Sequence, residues 1–443
     1  MLADIAASVR ARRVTPLELV DEALRRIDAL NPVLNAVVTR CDEAAREAAR
    51  THSGAGVLAG IPVLIKDLTR VAGMRTTSGS PWYADAPIDS EDDILVTRLK
   101  AAGAIVVGKT NTPSFGHQGV TVNQVFGATR NPWNLACSPG GSSGGAAAAL
   151  AAHLVPLATA TDGGGSVRGP ASYAGLVGYK PTNGLIGRSS TPRWITFSTS
   201  GSCAHTVADA MLEVAVVAGT ARGDVYSVPP SSGSFSLRKP KRAIAVRTLR
   251  GGVDEPIGAA FDEVCKTISD ELAIPVTVVD RISALDGLMV WLTIAVAELA
   301  EALEPHRAKW GDVEPTLASL LGMGLKVTTA QYIAAQRDRF AFCRDVEALL
   351  DGSETVLLTP TSNVTGFPAE GPMPVLGINT MDFNVTGQPG VSVPMGLDPS
   401  GVPMGLQIVA PRFDDGLALG LAAELELSRP WPMAAPGYSA WPV

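Results

Sequence analysis

Two segments rich in glycine and serine hold the residue types that are most able to do chemistry. They are residues 138–145 (SPGGSSGG) and residues 162–168 (DGGGSVR). Apolar sequence flanks both segments, whereas a flexible linker has polar, low-complexity neighbours. Consecutive glycines free backbone N–H groups to converge on an anion, and a serine beside them would stand next to an oxyanion hole. The anion is therefore either a phosphate or the oxygen of a tetrahedral intermediate.

The lysine content of the two segments separates these alternatives. A phosphate-binding loop of the type G-x-x-x-x-G-K-[ST] carries a lysine, and neither segment has one. A nucleophilic serine instead needs a base, and because no histidine is suitably placed in the sequence, a lysine made neutral by burial is the remaining candidate. Lys66 ends the apolar run of residues 61–65. Taken alone, it would more simply be a solvated lysine at a strand end.

The order and spacing of these residues resemble the amidase signature family of serine hydrolases. The family's triad is a lysine, a serine preceded by a cis peptide bond, and a nucleophilic serine 24 residues further on, and Ser142 and Ser166 have this spacing. The resemblance therefore implies that Lys66 is the base, Ser142 the proton shuttle and Ser166 the nucleophile. It continues through most of the chain, in residues 178–184, 206–210, 358–361 and 401–407.

A triad of this kind places two demands on its surroundings. Lys66 must be uncharged, which requires its pKa to fall by about three units from roughly 10.4, so we expect it to be buried. The oxyanion needs donors, and we expect the backbone amides of Gly163, Gly164, Gly165 and Ser166 to supply them.

Residues beside the triad are expected to support it. Ser143 is a rival for the shuttle role, although a loop serine bonded to nearby backbone is the simpler interpretation. Asp162 and Arg168 are predicted to form a pair that holds the glycine loop. Asp67 would raise the pKa of Lys66 if it lay close and ionised, so we expect it to face a helix end or an arginine.

Two places depart from the family pattern. Gly163 stands where members commonly carry Thr or Ile, and residues 193–197 (RWITF) stand where many relatives approach a polar Ser-Leu-Asp sequence. If Trp194 and Phe197 face the site, they favour an apolar or aromatic acyl or amine group. Ordinary core packing is the equally open alternative.

Alternating strand and helix patterns predict the fold that must position these residues. Short apolar, β-branched runs are typical of buried strands, and periodic segments between them predict helices. The alternation indicates an α/β fold. The resemblance implies one domain over residues 1–443, with a large mixed sheet sandwiched by α-helices, a signature core at about 50–210 and a variable specificity region at about 220–350. The predicted strands are residues 57–65, 104–107, 154–159, 243–246, 275–279, 356–359, 391–394 and 406–409, and the predicted helices are about 16–30, 207–218, 257–272, 288–303 and 330–350.

Composition and charge narrow the classes of partner. The 443 residues carry 36 Lys plus Arg against 43 Asp plus Glu, a net charge of −7, which disfavours nucleic acid and anionic membranes. No apolar run approaches the roughly 18 residues of a membrane span. Five dispersed cysteines without a C-x-x-C pair indicate thiols in a reducing cytoplasm. We expect a cytoplasmic monomer or homodimer that uses no metal and no cofactor.

The leading functional interpretation is a hydrolase of C–N acyl bonds in small, apolar or aromatic amides, with carbamates and aryl esters left open. The alternative is the glutamine-hydrolysing A-type subunit of a tRNA-dependent amidotransferase, which would work with a partner protein. Residues 187–202 and the relatively short chain disfavour this alternative, because we expect that segment to offer no partner for glutamine's charged groups. A catalytically silent binding protein is disfavoured because Lys66, Ser142 and Ser166 are all present.

Overall fold

An eleven-stranded mixed β-sheet runs through the computed structural model, which describes residues 1–231, 234–350, 354–371 and 378–442. Across the sheet the strands lie in the order β1-β3-β2-β4-β6-β5-β10-β11-β9-β7-β8. In chain order they are β1 (Val37–Arg40), β2 (Pro62–Lys66), β3 (Ile105–Thr110), β4 (Leu157–Asp162), β5 (Val177–Lys180), β6 (Thr199–Ala204), β7 (Arg242–Ala245), β8 (Val276–Val278), β9 (Thr355–Pro360), β10 (Gly390–Leu397) and β11 (Pro403–Val409).

Parallel and antiparallel pairs occupy different parts of the sheet. Strand β2 pairs in parallel with both β3 and β4, and β7 pairs in parallel with β8 and β9. The remaining neighbours, including β4 with β6 and β10 with β11, are antiparallel. The predicted mixed sheet is therefore confirmed.

Helices cover both faces of the sheet. They are α1 (Leu2–Arg10), α2 (Pro16–Leu34), α3 (Asp42–Arg50), α4 (Ile94–Ala101), α5 (Gly144–Ala151), α6 (Arg168–Ala174), α7 (Val207–Val217), α8 (Glu255–Asp270), α9 (Gly287–Ala302), α10 (Pro315–Gly324), α11 (Thr329–Leu350), α12 (Asp382–Val385) and α13 (Asp415–Ser428). In β7, Ala243 and Ala245 belong to one buried apolar cluster, while Ile244 belongs to another. Because successive side chains of a strand point to opposite faces, both faces are packed. Within the described ranges, none of the helices has the length and apolar character needed to cross a membrane.

The start of α2 shows how local sequence determines an element. The backbone N–H of Glu18 donates to Thr15 Oγ1, and Glu18 Oε2 accepts from the N–H of Thr15, which is the capping box that the sequence predicts. The helix runs to Leu34 rather than to about Leu30, although Pro32 lies inside it. A proline so close to the end removes only one helical hydrogen bond, so the last turn survives.

Strand prediction was less accurate. The apolar run 57–65 forms a strand only from Pro62, because Gly60 adopts a φ of 71° and turns the chain before it. Strands β1, β5 and β6 were not predicted. Strand β6 has the sequence TSGSCA, whose small and polar residues carry little β propensity, so its pairing with β4 and β5 makes it a strand.

Candidate active site

The carboxyl ends of β2 and β4 bring the candidate residues together. These strands are parallel neighbours, so their ends meet at the same edge of the sheet. Lys66 is the last residue of β2, and Asp162 is the last residue of β4. The glycine loop and Ser166 follow at once, before α6 begins at Arg168. Residues 138–143 lead into α5 beside them.

Lys66 is buried among hydroxyl groups. Its side chain has no exposed surface, and its Nζ lies 2.8 Å from Ser142 Oγ, 2.7 Å from Ser143 Oγ and 3.0 Å from Thr161 Oγ1. Burial lowers the pKa of Lys66 to about 7, against a smaller opposing effect that includes the nearby Asp162. A large fraction of this lysine is therefore neutral at neutral pH.

Two adjacent serines contact Lys66 but differ in their other partners. The Ser143 hydroxyl donates to the Thr161 carbonyl and accepts from the Thr161 N–H, both at 3.3 Å. In the described part of the chain, Ser142 Oγ makes its one side-chain hydrogen bond with Lys66. The Gly141–Ser142 peptide bond is cis. Ser143 thus bonds backbone, as its simpler interpretation held, and contacts the lysine as well.

Ser166 lies at the wall of a large cavity. The cavity has a volume of about 1260 Å³, and its lining includes Ser142, Thr161, Gly163 and Ser166. Ser166 is half-buried, whereas Ser142 is 2% exposed. The two serines therefore reach the same space, and Lys66 stands behind Ser142.

The hydrogen bonds of the glycine loop correct one prediction. The N–H of Gly165 donates to Asp162 Oδ1 at 2.7 Å, so this amide is already committed and is not an oxyanion donor. Gly163, Gly164 and Ser166 remain predicted donors. Loop carbonyls are held from outside, since Trp291 Nε1 donates to Gly163 O at 2.8 Å and Thr380 Oγ1 donates to Gly164 O at 2.7 Å.

Sequence reasoning missed Trp291 and Thr380. Trp291 lies in α9, whose apolar pattern predicted a helix and nothing about its contact with the loop. Thr380 precedes α12 in a segment without a recognisable pattern. Both residues are far from the loop in sequence, so only the fold reveals the contact.

Asp162 and Arg168 form a fully buried ion pair under the loop. Arg168 Nε and Nη2 donate to the two Asp162 oxygens at 3.0 and 2.9 Å. The other guanidinium N–H groups donate to Thr380 O, Gln407 Oε1 and Asn384 Oδ1. Burial alone would raise the pKa of Asp162, but the guanidinium more than offsets this and lowers it. The pair fixes the loop to distant parts of the chain.

Asp67 has a different partner from the one expected. It is buried and pairs with Lys109, whose Nζ lies 2.8 Å from Asp67 Oδ1. Thr77 also hydrogen-bonds the carboxylate. The expectation of a helix end or an arginine is therefore wrong, because the buried lysine at the adjacent strand β3 supplies the charge.

Comparison with known proteins places this geometry in a family. The family model described as Amidase matches residues 18–419. The chain belongs to the amidase family. It is thus an amidase-type enzyme, acting on carbon–nitrogen bonds other than peptide bonds.

Relatives in the amidase family match the chain over nearly its whole length. The putative amidase AmiA2 of Mycobacterium tuberculosis is 35% identical over 98% of this chain and 94% of that protein. An acylamidase of Rhodococcus erythropolis is 33% identical (98% and 97%). The A-type subunit of the glutamyl-tRNA(Gln) amidotransferase of Chromobacterium violaceum is 31% identical (98% and 99%). The solved structure of a 6-aminohexanoate cyclic dimer hydrolase complexed with substrate superimposes with a TM-score of 0.87 at 30% identity, covering 99% of this chain and 98% of that one.

The two departures from the amidase pattern are one feature of the structure. A Cβ at position 163 would lie 2.4 Å from Trp194 Cε3, far inside contact distance, so the indole occupies the space of a side chain at this position. Trp194 lines the cavity. Phe197 does not: it is fully buried, and its ring packs against Trp291 in a core cluster. The prediction of Phe197 as a pocket residue is wrong.

Charged groups also line this amidase's cavity. Arg193, directly before Trp194, is among the lining residues. The expectation that residues 187–202 offer no charged group is therefore wrong. In the part of the chain that the structure describes, no group of three or more His, Cys, Asp or Glu side chains is arranged to hold a metal ion.

Proposed function

We propose that this amidase is a serine hydrolase that cleaves the C–N acyl bond of small amides through an acyl-enzyme on Ser166, without a metal or cofactor. The observation that carries the proposal is the hydrogen bond of 2.8 Å between buried Lys66 Nζ and Ser142 Oγ, at the wall of the cavity that Ser166 also lines. It supplies a base and a proton path beside a candidate nucleophile.

The hydrogen bonds around Lys66 favour Ser142 as the shuttle. A charged ammonium donates to all three neighbouring hydroxyls, but a neutral amine has only two N–H groups and one lone pair. One hydroxyl must then donate to Nζ. Ser143 directs its proton to the Thr161 carbonyl, which leaves the hydroxyl of Ser142 free to donate.

The proposed reaction begins with a double proton transfer. Neutral Lys66 takes the proton of Ser142, which takes that of Ser166 as Ser166 Oγ bonds to the carbonyl carbon. The oxyanion of the tetrahedral intermediate receives hydrogen bonds from the remaining loop amides.

Collapse of the intermediate breaks the C–N bond. The proton on Lys66 returns through Ser142 to the leaving nitrogen, and an amine departs. Water then attacks the Ser166 ester, gives its proton to the same relay, and releases the carboxylic acid and free Ser166.

The cavity wall supports an apolar or aromatic substituent on the substrate. Trp194 lies over Gly163, next to the predicted oxyanion donors. An acylamidase and a cyclic dimer hydrolase of an amino acid are among the relatives, which supports small amides as substrates. Carbamates and aryl esters belong to the same proposal, because the triad would attack their carbonyl carbon in the same way.

A panel of anilides tests the proposal. An aryl amide, the matching aryl carbamate and glutamine are incubated with the enzyme and with Ser166→Ala, and the released aryl amine or ammonia is measured. We expect aryl amine from the wild type and none above background from the variant. Equal release by Ser166→Ala would contradict the assigned nucleophile, whereas the relative rates rank amide against carbamate.

A role in a tRNA-dependent amidotransferase remains the second candidate, because the A-type subunit of such an enzyme is 31% identical over 98% of the chain. The protein would then hydrolyse glutamine and deliver ammonia to a partner. Ammonia from glutamine alone, with no release from either aryl substrate, would favour this candidate over the proposed one.

A further inference from the structure

Arg193 is a cation in the cavity wall without a protein anion. Its side chain stacks on the ring of Phe115, with Cζ 4.7 Å from the ring centroid. Within the described ranges, its guanidinium forms no ion pair and no hydrogen bond. A second lining arginine, Arg188, differs: it pairs with Asp224 at 3.3 Å and donates to the Ile195 carbonyl at 2.9 Å.

The carboxylates near Arg193 are engaged with other groups. Glu298 accepts from the Ile195 N–H at 2.8 Å and from the Tyr332 hydroxyl at 2.9 Å. Asp93 caps helix α4 through the Leu95 N–H and accepts from Ser189. Glu301 also lines the cavity but forms no ion pair with Arg193. None of the three neutralises the guanidinium.

An unpaired guanidinium at a largely buried site is costly. Burial lowers the pKa of Arg193, yet arginine stays protonated throughout the physiological pH range, so the site cannot escape the cost by losing the charge. The stack on Phe115 offsets only part of it. A charge kept under these conditions indicates that a ligand completes its coordination.

Arg193 lies close in sequence and space to both serine segments. Its neighbour Trp194 covers Gly163 of the glycine loop. Its stacking partner Phe115 precedes Gly116, where a Cβ would lie 3.1 Å from Ser142 Oγ. A group bound to Arg193 would therefore belong to the same molecule as a carbonyl presented to Ser166.

We infer that Arg193 binds a carboxylate of the substrate and so selects amides that carry an acidic group in addition to the bond that is cleaved. The planar guanidinium offers N–H groups in a fork that matches two carboxylate oxygens. This inference rests on the proposed function, and it adds an anionic class to the apolar and aromatic substrates considered above.

Matched substrates test the inference. Succinic and glutaric monoanilides carry a free carboxylate, and their methyl esters are neutral analogues with the same leaving group. We expect the wild type to prefer the free acids in kcat/KM, and Arg193→Gln to reduce kcat/KM for the acids by roughly 10- to 150-fold, the range for a lost hydrogen bond to a charged group. The ratio of acid to ester should collapse, and Arg193→Lys should restore part of it.

Two further arginines serve as controls. Arg281→Gln removes the same charge from an exposed residue outside the cavity lining and should leave the ratio as in the wild type. Arg70 lines the cavity and, among described residues, also forms no ion pair. A ratio that falls in Arg70→Gln but not in Arg193→Gln, or no preference for the acids in the wild type, would overturn the assignment to Arg193.

A binding measurement separates this inference from the proposed function. In the Ser166→Ala background, quenching of tryptophan fluorescence by glutaric monoanilide is compared with and without Arg193→Gln. Weaker binding of the acid, but not of its methyl ester, on loss of Arg193 supports the inference even if the wild type releases no aniline. Equal affinities in the two backgrounds refute it, whatever the outcome for turnover.

Discussion

At the scale of single residues, the surroundings of Lys66 assign different duties to two neighbouring serines. Both hydroxyls contact Nζ, but only Ser143 is also bonded to the backbone of Thr161. The resemblance to the family pointed to Ser142 from its place in a motif. The hydrogen-bond partners give an independent physical reason for the same choice.

Alanine substitutions should separate the two serines. We expect Ser142→Ala to reduce kcat by roughly 10²- to 10⁴-fold, the usual contribution of proton transfer by a positioned group. Ser143→Ala removes one hydrogen bond to Lys66 and should cost about tenfold or less. Steady-state kinetics on the best anilide, with circular dichroism to verify folding, check both. A larger loss in Ser143→Ala would reverse the assignment.

The lowered pKa of Lys66 predicts a pH profile. Lys66 accepts a proton only when neutral, and burial lowers its pKa to about 7, so kcat/KM should rise as pH increases through about 7 and level off above it. The profile is measured from about pH 5 to about pH 9, a span that covers both protonation states. A rise centred near 10, the ordinary pKa of an exposed lysine, would show that Lys66 is not desolvated as described.

The contact between Gly163 and Trp194 predicts non-additive substitutions. Gly163→Ala places a Cβ against the indole, so we expect it to lower kcat/KM and the free energy of unfolding. In Gly163→Ala with Trp194→Ala the clash is absent, and both quantities should recover in part, with a coupling of about 0.5–3 kcal/mol. Urea unfolding and anilide kinetics on the four chains measure it, and additive effects would argue against the contact.

At the scale of elements, the termini of β2 and β4 and the start of α6 create the site, and other elements stabilise it. The peptide group is planar and trans, so a partner that holds the Gly163 carbonyl also directs the N–H of Gly164 the opposite way. Trp291 from α9 is that partner. A helix that sequence analysis assigned to the variable region therefore positions a predicted oxyanion donor.

Trp291→Phe tests this positioning role. The ring remains but the N–H is lost, so we expect kcat to fall by roughly 3- to 30-fold, in proportion to a modest hydrogen bond, with little change in KM. Trp133→Phe is the matched control, since Trp133 Nε1 donates to the Ala174 carbonyl at the same 2.8 Å outside the cavity lining. Equal losses in both variants would indicate a general effect on stability instead.

Sequence patterns identified the elements unevenly. The helices with clear apolar periodicity and a capping signal were found within a few residues, as for α2, because their cause is local. Strands β5 and β6 were not, because their pairing partners, not their own residues, make them strands. The same limit hid Trp291 and Thr380, whose effects depend on contacts across more than a hundred residues of sequence.

At the scale of the whole molecule, Arg168 connects the signature core with the last third of the chain. Its guanidinium reaches Asp162, Thr380, Asn384 and Gln407. The sequence predicted the pair with Asp162 from their positions around Ser166. The other three partners could not be predicted, because they come from α12, the segment before it, and β11.

Arg168→Leu should therefore destabilise the protein strongly. Removing one partner of a buried ion pair costs about 3–5 kcal/mol, because Asp162 is left unpaired. In the wild type the pKa of Asp162 is lowered, so its contribution is present above the unfolded-state pKa and is lost as pH falls. The stability difference between wild type and variant should thus shrink toward acidic pH.

Urea unfolding at neutral pH and at about pH 4, near the ordinary pKa of an aspartate, measures this difference. Arg281→Leu is the control at an exposed position. A loss for Arg168→Leu no larger than that of the control would show that the buried pair contributes nothing to stability.

The packing of Trp194 over Gly163 also restricts how such a cavity can arise by mutation. If an ancestor had a side chain at position 163, as relatives commonly do, a tryptophan arriving first at position 194 would have met it head-on. Glycine arriving first would have left only a gap that the indole could later fill. The order of change is therefore fixed by volume, and a lineage that regained a side chain at position 163 would first have to surrender the tryptophan.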